Sequence, residues 1–531
     1  MRAGWRMAGI LLTLALAAPA ALAQEPKHGG ILKIYHRDSP ASASIHEEAT
    51  FSTNVPFMPV FNNLVIFRQD APQNSPETIQ PELATSWSWS ADNTKLTLAL
   101  RQGVKWHDGS SLTADDVAAS WHKIIDPPEG VTSARQSFFM MVDRVEAPDP
   151  STVVFHLKFA TTAFLPALAD PYNWIYKKEI LDKDPHWYEK NFMGSGPFKF
   201  ASLETGQSIK GLKNTDYYHE GLPYLDGFAG IYAEKQAVRV EAIRGDRAAI
   251  EFRGFPPAAR DELLKALGDK ITVQANDWNC GALVEPNHKK KPFDDVRVRR
   301  ALTLAIDRWH GAPELSKIAI VHTVGGIAFP ASPLAATKEE LEQIAGYWPD
   351  IEKSRAEARR LLKEAGAEGL SFELLNRNVD QPYKYNGTWV LDEWSKIGLK
   401  VTQRVVPTGP WFDAMRKGDF EVTLVGNCNN VPNPPLDVQR YLPRSVFTEN
   451  YGNFEDQREI DLYQKMLRET DPARQRALMR EFEKYVLDDQ AHAVFLLWWY
   501  RIVPHRSYVK GWKIGPSHYL NQDLGTVWLD K

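Results

Sequence analysis

Between Leu96 and Ile125 the apolar pattern changes period once, and that change dictates a strand followed by a helix packed on it. Leu96, Leu98 and Leu100 alternate with Thr97, Ala99 and Arg101, the period of a strand with one buried face. Asp108-Gly109 supplies a turn. Thr113 stands three residues before Asp116, the spacing of a capping box, in which each side chain satisfies a backbone amide at the helix start. Val117, Trp121 and Ile124 follow at helical spacing and present one apolar face to the strand. A unit of this kind belongs to α/β architecture.

A chain of 531 residues exceeds what one hydrophobic core supports, so at least two lobes are expected. Hydrophobic residues at 43% and charged residues at 24% are those of a globular protein. The formal net charge of −4 gives no footing for nucleic acid or an acidic membrane as a partner. Most of the 17 tryptophans belong to the core, and the surplus suits a cleft that stacks on a ligand. Residues 1–23 read as a cleaved signal peptide: Arg2 and Arg6 come first, Ala8 to Leu22 is apolar, and Ala21-Leu22-Ala23 fits the cleavage pattern. The apolar run is short for a span of about 20 residues. No cysteine follows the cut, so no lipid anchor is expected there, and the mature chain is expected free in the periplasm.

Ile31 and Ile34 begin a strand, and residues 62–66 form another apolar element. Breakers at Pro127-Pro128 and Asp149-Pro150 divide a run of strands and turns from 67 to 192, and short strands return between 194 and 275. Residues 294–308 predict one helix, with Asp294 and Asp295 at its positive end and Val298, Ala301, Leu302, Ala305 and Ile306 on one face. A second helix spans 352–365 and ends at Gly366. Strands at 370–375 and 399–406 enclose a helix at 389–396, a βαβ-like run. Residues 459–487 read as helical and 495–499 as a buried strand.

Catalytic motifs are missing. There is no Gly-x-Ser-x-Gly elbow and no His-Glu-x-x-His pair. Gly194-Ser195-Gly196-Pro197 lacks the Lys-Ser/Thr of a phosphate loop, and His107-Asp108 are adjacent turn residues that point apart. The 14 histidines show no close helical pair, so neither a protein-built metal site nor a cofactor is expected.

The wording of five blocks is more specific than their periodicity. SWSWSADNTKLTLALRQGVKWHDGSSLTADDV, MGSGPFKF at 193–200, NTDYYHEGLPYLD at 214–226, KPFDDVRVRRALTLAIDR at 291–308 and IEKSRAEARRLLKEAG at 351–366 occur in one order along the chain. Together they resemble the extracellular solute-binding proteins, family 5, of bacterial ABC importers, the peptide, oligopeptide and nickel type. The resemblance implies a two-lobed periplasmic-binding-protein fold of α/β class, with an extra subdomain in the first lobe and a hinge of two crossover segments. Lobe 1 would be 24–279 plus 497–531, with 64–192 as the added subdomain, and lobe 2 would be 280–496. The crossovers would lie near 276–286 and 492–500. Cys280 and Cys428, read by spacing alone, are a disulfide or two separate thiols. The resemblance favours the disulfide, whose loop would contribute about 5 kcal/mol at most in the chain-entropy model.

The implied activity is binding, not catalysis. A small ligand sits between the lobes and is delivered to membrane permease subunits served by a separate ATPase, by a monomer. The rivals are a secreted hydrolase and a stand-alone sensory or chaperone-like binding protein. Where peptide-binding relatives place an Asp for the peptide amine, this chain has Asn430, and Asn carries no charge. Leu424 replaces the carboxylate-binding Arg of some relatives, whereas Arg377 lies near the Arg that serves dipeptide binders; it reads otherwise as a solvated loop charge. Further candidates are His46, Glu48 and Thr50 in one loop, Trp278 at the hinge, Trp411, Asn427 and Asn429 beside Cys428, and Trp498 with Trp499, of which one at most faces the cleft. The asparagines suit a polar neutral or zwitterionic guest: a modified peptide, an amino-acid conjugate or a sugar.

Overall fold

The computed structural model describes residues 25–37, 39–40, 42–48, 51–68, 71, 74–428, 433–447, 449–516 and 523–531. The signal segment and Thr50, Asn429 and Asn430 therefore lie outside the described residues. Strand Lys95–Leu100 pairs with Ala84–Trp89 and Thr152–Leu157, and Val142–Asp149 closes a four-stranded antiparallel sheet. Helix α1, Ala114–Ile125, carries the capping box of Thr113 and Asp116 and lies on that sheet. Its Trp121 meets Phe155 and Phe139 edge-on at 5.0 and 4.6 Å.

Ten strands and a short addition make the large sheet. They are β1 (Ile31–His36), β2 (Phe198–Glu204), β3 (Ser208–Lys213), β4 (Gly227–Tyr232), β5 (Ile250–Glu251), β6 (Ile271–Pro286), β7 (Ser371–Arg377), β8 (Lys400–Val406), β9 (Val422–Cys428) and β10 (Val494–Arg506). Their order is β8-β7-β9-β6-β10-β5-β1-β4-β3-β2, with Val321–Thr323 paired to β10. The long strands β6 and β10 join the two halves. Their outer ends lie by β5, where Ile250 faces His505, and their inner ends by β9, where Cys280 faces Cys428. The register between them slips at Trp278/Gly281 and again at Gly281/Leu283. This is the mixed α/β, two-lobed fold that the sequence implied.

Glycines account for the Gly194-Ser195-Gly196-Pro197 turn. A Cβ on Gly194 would stand 1.8 Å from the Val60 carbonyl oxygen, and one on Gly196 2.6 Å from the Val60 carbonyl carbon. The motif lets two backbones touch; Gly196 N–H donates to Val60 O at 3.0 Å.

Two predicted helices divide. The 294–308 segment forms α2 (Val296–Leu304) and α3 (Arg308–Leu315), because Asp307 caps a new start by accepting from His310 N–H. The 459–487 segment forms α6 (Gln457–Arg468) and α7 (Pro472–Lys484), since Pro472 lacks an amide and Asp471 caps the restart. Between them α4 (Ile351–Glu364) ends before Gly366, whose φ is +66°, and α5 (Tyr385–Ser395) joins the parallel pair β7 and β8. Two helices, Gln236–Arg244 and Pro257–Leu267, stand where only strands were expected. Among the described residues no helix is long and apolar enough to cross a membrane.

Candidate ligand-binding site

Alternation along β6 and β9 sets two faces. Leu283 and Val425 join the core shared with the 64–168 region, while Cys280, Ala282, Val284 and Leu424 join another. Glu285 and Asn427 follow the first face by their period, and Gly281 stands opposite Asn427. In β10 the neighbours Trp498 and Trp499 divide in the same way. The Trp498 N–H donates to Gly326 O at 3.1 Å, and its ring packs on Phe329 and Phe495. Trp499 instead meets Trp278 edge-on at 5.5 Å and Tyr383 at 6.0 Å.

Tyr383 extends this group to Trp411 at 6.1 Å, edge-on. The Arg377 guanidinium stands 5.3 Å from the Tyr383 ring centre and 5.7 Å from that of Trp411, and its Nε donates to Thr408 Oγ1 at 2.8 Å. Arg377 is buried, so it is no solvated loop charge. Gly426 completes the wall: a Cβ there would stand 3.1 Å from both the Trp499 ring and the Tyr383 hydroxyl. Four predicted residues, Trp278, Arg377, Trp411 and Trp499, thus come from four separate stretches to one place, while Asn427 follows the other face of β9.

Buried polar groups are nearly always hydrogen-bonded, so exceptions in one place carry information. Here the indole N–H of Trp411, that of Trp499, Asn427 Nδ2 and the Tyr441 hydroxyl are all buried without a hydrogen-bond partner. Asn427 stands beside Tyr441, close enough to oppose part of the effect of burial on its phenol. Burial is the main force raising the Tyr441 phenol above its ordinary range, so it stays protonated. The arrangement presents donors to carbonyl or carboxylate oxygens.

Beside them, Arg440 Nε lies 3.5 Å from Glu285 Oε1. Burial pushes the Glu285 carboxyl up, opposed by Arg440 and the Tyr451 amide. Neither Glu285, Tyr383, Arg440 nor Tyr441 was a sequence candidate. Glu285 carried a signal, a single charge in the apolar run 281–286; the other three carried none that separates them from core residues.

The remaining candidates lie elsewhere. His46 is fully buried, stacks 4.1 Å from Tyr176, and pairs Nε2 with Trp174 O at 2.9 Å. Burial first, then Lys123, holds it well below its usual range, so it is neutral. Glu48 donates its amide to Ser44 O at 3.0 Å. His107 and Asp108 do point apart, His107 to Gly196 O at 3.1 Å and Asp108 to Lys177 at 2.5 Å. Glu47, His186 and Glu189 could converge on a metal ion, but Lys123 Nζ already stands 2.5 Å from Glu47 Oε1. Cys280 and Cys428 form a disulfide directly across β6 and β9, next to Asn427.

Comparison with known proteins agrees with this architecture. The profile described as Bacterial extracellular solute-binding proteins, family 5 Middle, matches residues 78–448, well over half of the chain. The Dipeptide-binding protein of Escherichia coli (strain K12) is 26% identical over 504 residues, covering 88% of this chain and 89% of that one. Among solved structures, the periplasmic binding protein DppA from Helicobacter pylori, in complex with peptide STSA, superposes with a TM-score of 0.83 at 23% identity. It covers 95% of this chain and 99% of that one. AgaA from A.tumefacien R10, in complex with agropinic acid, gives 0.81 at 23% identity over 94% and 99%.

Proposed function

This chain belongs to the bacterial extracellular solute-binding proteins of family 5, and we propose that it is the periplasmic substrate-binding component of an ABC importer, holding a peptide-like or other small polar solute. Lobe 1 is 24–279 plus 497–531, with the 64–192 subdomain; lobe 2 is 280–496. The signal peptide 1–23 is removed, no lipid anchor is added, and a monomer delivers the solute to permease subunits served by a separate ATPase.

One observation carries the reading. Four buried donors without partners, Trp411, Asn427, Tyr441 and Trp499, stand on β9, β10 and the segments near the two strands that join the halves of the sheet. The register slips in β6 and β10 give those strands a place to bend, as β-bulges do. Closure about them covers a guest and couples capture to shape. Arg377 takes a carboxylate; Trp411, Trp499, Asn427 and Tyr441 take carbonyl oxygens; Trp278 walls the pocket. Glu48, Thr50, Asn429 and Asn430 are proposed as further ligand contacts, whereas His46, buried against Tyr176 and bonded to Trp174 O, serves packing. Relatives named for dipeptides support a peptide-like guest.

Titration calorimetry with Ala-Ala and small-angle scattering test this together. One-to-one binding, a smaller radius of gyration with ligand and no product by mass spectrometry are expected. Turnover of the bound compound, or superimposable scattering curves, would overturn the reading.

A further inference from the structure

The wall formed by Glu285, Arg440 and Glu449 is built for charge, and its charges do not balance. Glu285 is 4% exposed, and its Oε2 has no hydrogen-bond partner. Its neighbour Arg440 has no hydrogen-bond partner at Nε; it approaches Glu285 at 3.5 Å and the Tyr451 ring, 5.8 Å from the guanidinium carbon. Glu449 lies within electrostatic reach of both Arg440 and Glu285, is half-buried, and makes no hydrogen bond or ion pair in the described structure.

The other charged groups facing Glu449 already have partners. Arg135 pairs with Asp170 at 2.9 Å, and Arg416 with Asp413 at 2.5 Å. One guanidinium therefore serves two carboxyl groups. Burial is the main force raising both carboxyls above their usual range, which is the mark of a surplus without a counter-charge. A buried carboxylate is stable only when paired.

The geometry points to Glu285 and Glu449 as a subsite for a cationic group of the ligand, a primary ammonium or a guanidinium, standing apart from the carboxylate contact at Arg377. The subsite supplies what Asn430 does not, a negative charge. It deepens the peptide-like reading and rests on it for the rest of the guest. Tyr441, with Asn427 beside it, stands within electrostatic reach of Arg440 and Glu285.

Calorimetry with Ala-Ala, Ala-Lys, Lys-Ala and Ala-Glu, and with free L-lysine, tests the subsite. The tighter lysine dipeptide should bind at least about ten-fold more strongly than Ala-Ala, and Ala-Glu more weakly. In Glu449→Gln the lysine preference should fall below about three-fold; Glu285→Gln should lower it too. Glu449 has no partner to lose, so its variant decides the matter if Glu285→Gln does not fold. Lysine dipeptides should also release protons on binding, read from the buffer dependence of the enthalpy, because an ammonium draws the raised carboxyls down. Ala-Ala binding with no lysine preference, or a preference that survives Glu449→Gln, overturns the subsite and leaves the peptide reading standing. Binding of free lysine alone, lost in Glu449→Gln, overturns the peptide reading and keeps the subsite. No binding by any probe overturns both.

Discussion

Arg308 and Arg440 are guanidiniums packed among protein atoms, and the molecule uses them in opposite ways. Arg308, at the start of α3, is 1% exposed and donates to Phe495 O, Thr303 O, Thr303 Oγ1 and Gly346 O at 2.5–3.1 Å, with its head 4.6 Å from the Tyr347 ring. Every donor direction is answered by a carbonyl or hydroxyl, so the side chain is a brace between α2, α3 and β10. Arg440 has no such set: its Nε lacks a hydrogen-bond partner and stands 3.5 Å from Glu285 Oε1. The tyrosines beside them repeat the contrast: the Tyr347 hydroxyl donates to Gly325 O at 2.9 Å, whereas the Tyr441 hydroxyl is unpartnered. A buried polar group that is satisfied holds the fold together; one that is not is left to meet water or a ligand.

Removing the two arginines is the strongest way to break the comparison. Arg308→Met should cost about 3 kcal/mol or more in urea unfolding, because several buried carbonyls lose their donor together. Arg440→Met should cost less than about half of that, since no such set of hydrogen bonds is lost and the raised Glu285 carboxyl can take up a proton. Equal losses would show Arg440 to be a brace as well.

A pH series sharpens it next. Asp437 is buried with Oδ2 unpartnered, and burial lifts its carboxyl to about 8. A raised carboxyl binds more protons folded than unfolded, so its contribution is fully present below the unfolded value near 3.8 and is lost as pH rises through about 8. Asp437→Asn mimics the protonated form. Its stability relative to the parent should climb by up to about 1.4 kcal/mol per pH unit between those values and then level off. A difference independent of pH would place Asp437 among the satisfied groups.

The tyrosines give the smallest effect. Tyr347→Phe should lose about 1 kcal/mol with its hydrogen bond. Tyr441→Phe should change stability by less than about 0.5 kcal/mol and weaken ligand binding several-fold, as read by thermal unfolding and calorimetry on both variants. Equal stability losses would mean that the Tyr441 hydroxyl has a partner in solution.

How far the sequence could be read follows from the range of the forces involved. The strand at 95–100, the box-capped helix α1, helix α4 with Gly366 beyond its end and the parallel pair β7 and β8 were legible, because period, cap and breaker lie within a few residues of each other. The split at Asp307 was missed because its apolar stripe continues through Ala305 and Ile306, and only the capping geometry ends the helix. Among the candidates, Arg377 could be proposed from the family resemblance and Asn427 from its place beside Cys428, whereas Trp498 and Trp499 could not be told apart. The register of β10 against β6 separates them, sending one indole to Gly326 and leaving the other without a partner.

By itself, the sequence determined the family, the alternation that gives each strand its two faces, and where helices begin. Tertiary structure alone decided which buried polar groups are answered. That question compares atoms on β6, β9, β10 and the 433–451 stretch, which no local pattern relates. Whether an arginine or a tyrosine is a brace or a binding group depends on which carbonyls the fold brings within about 3 Å of it.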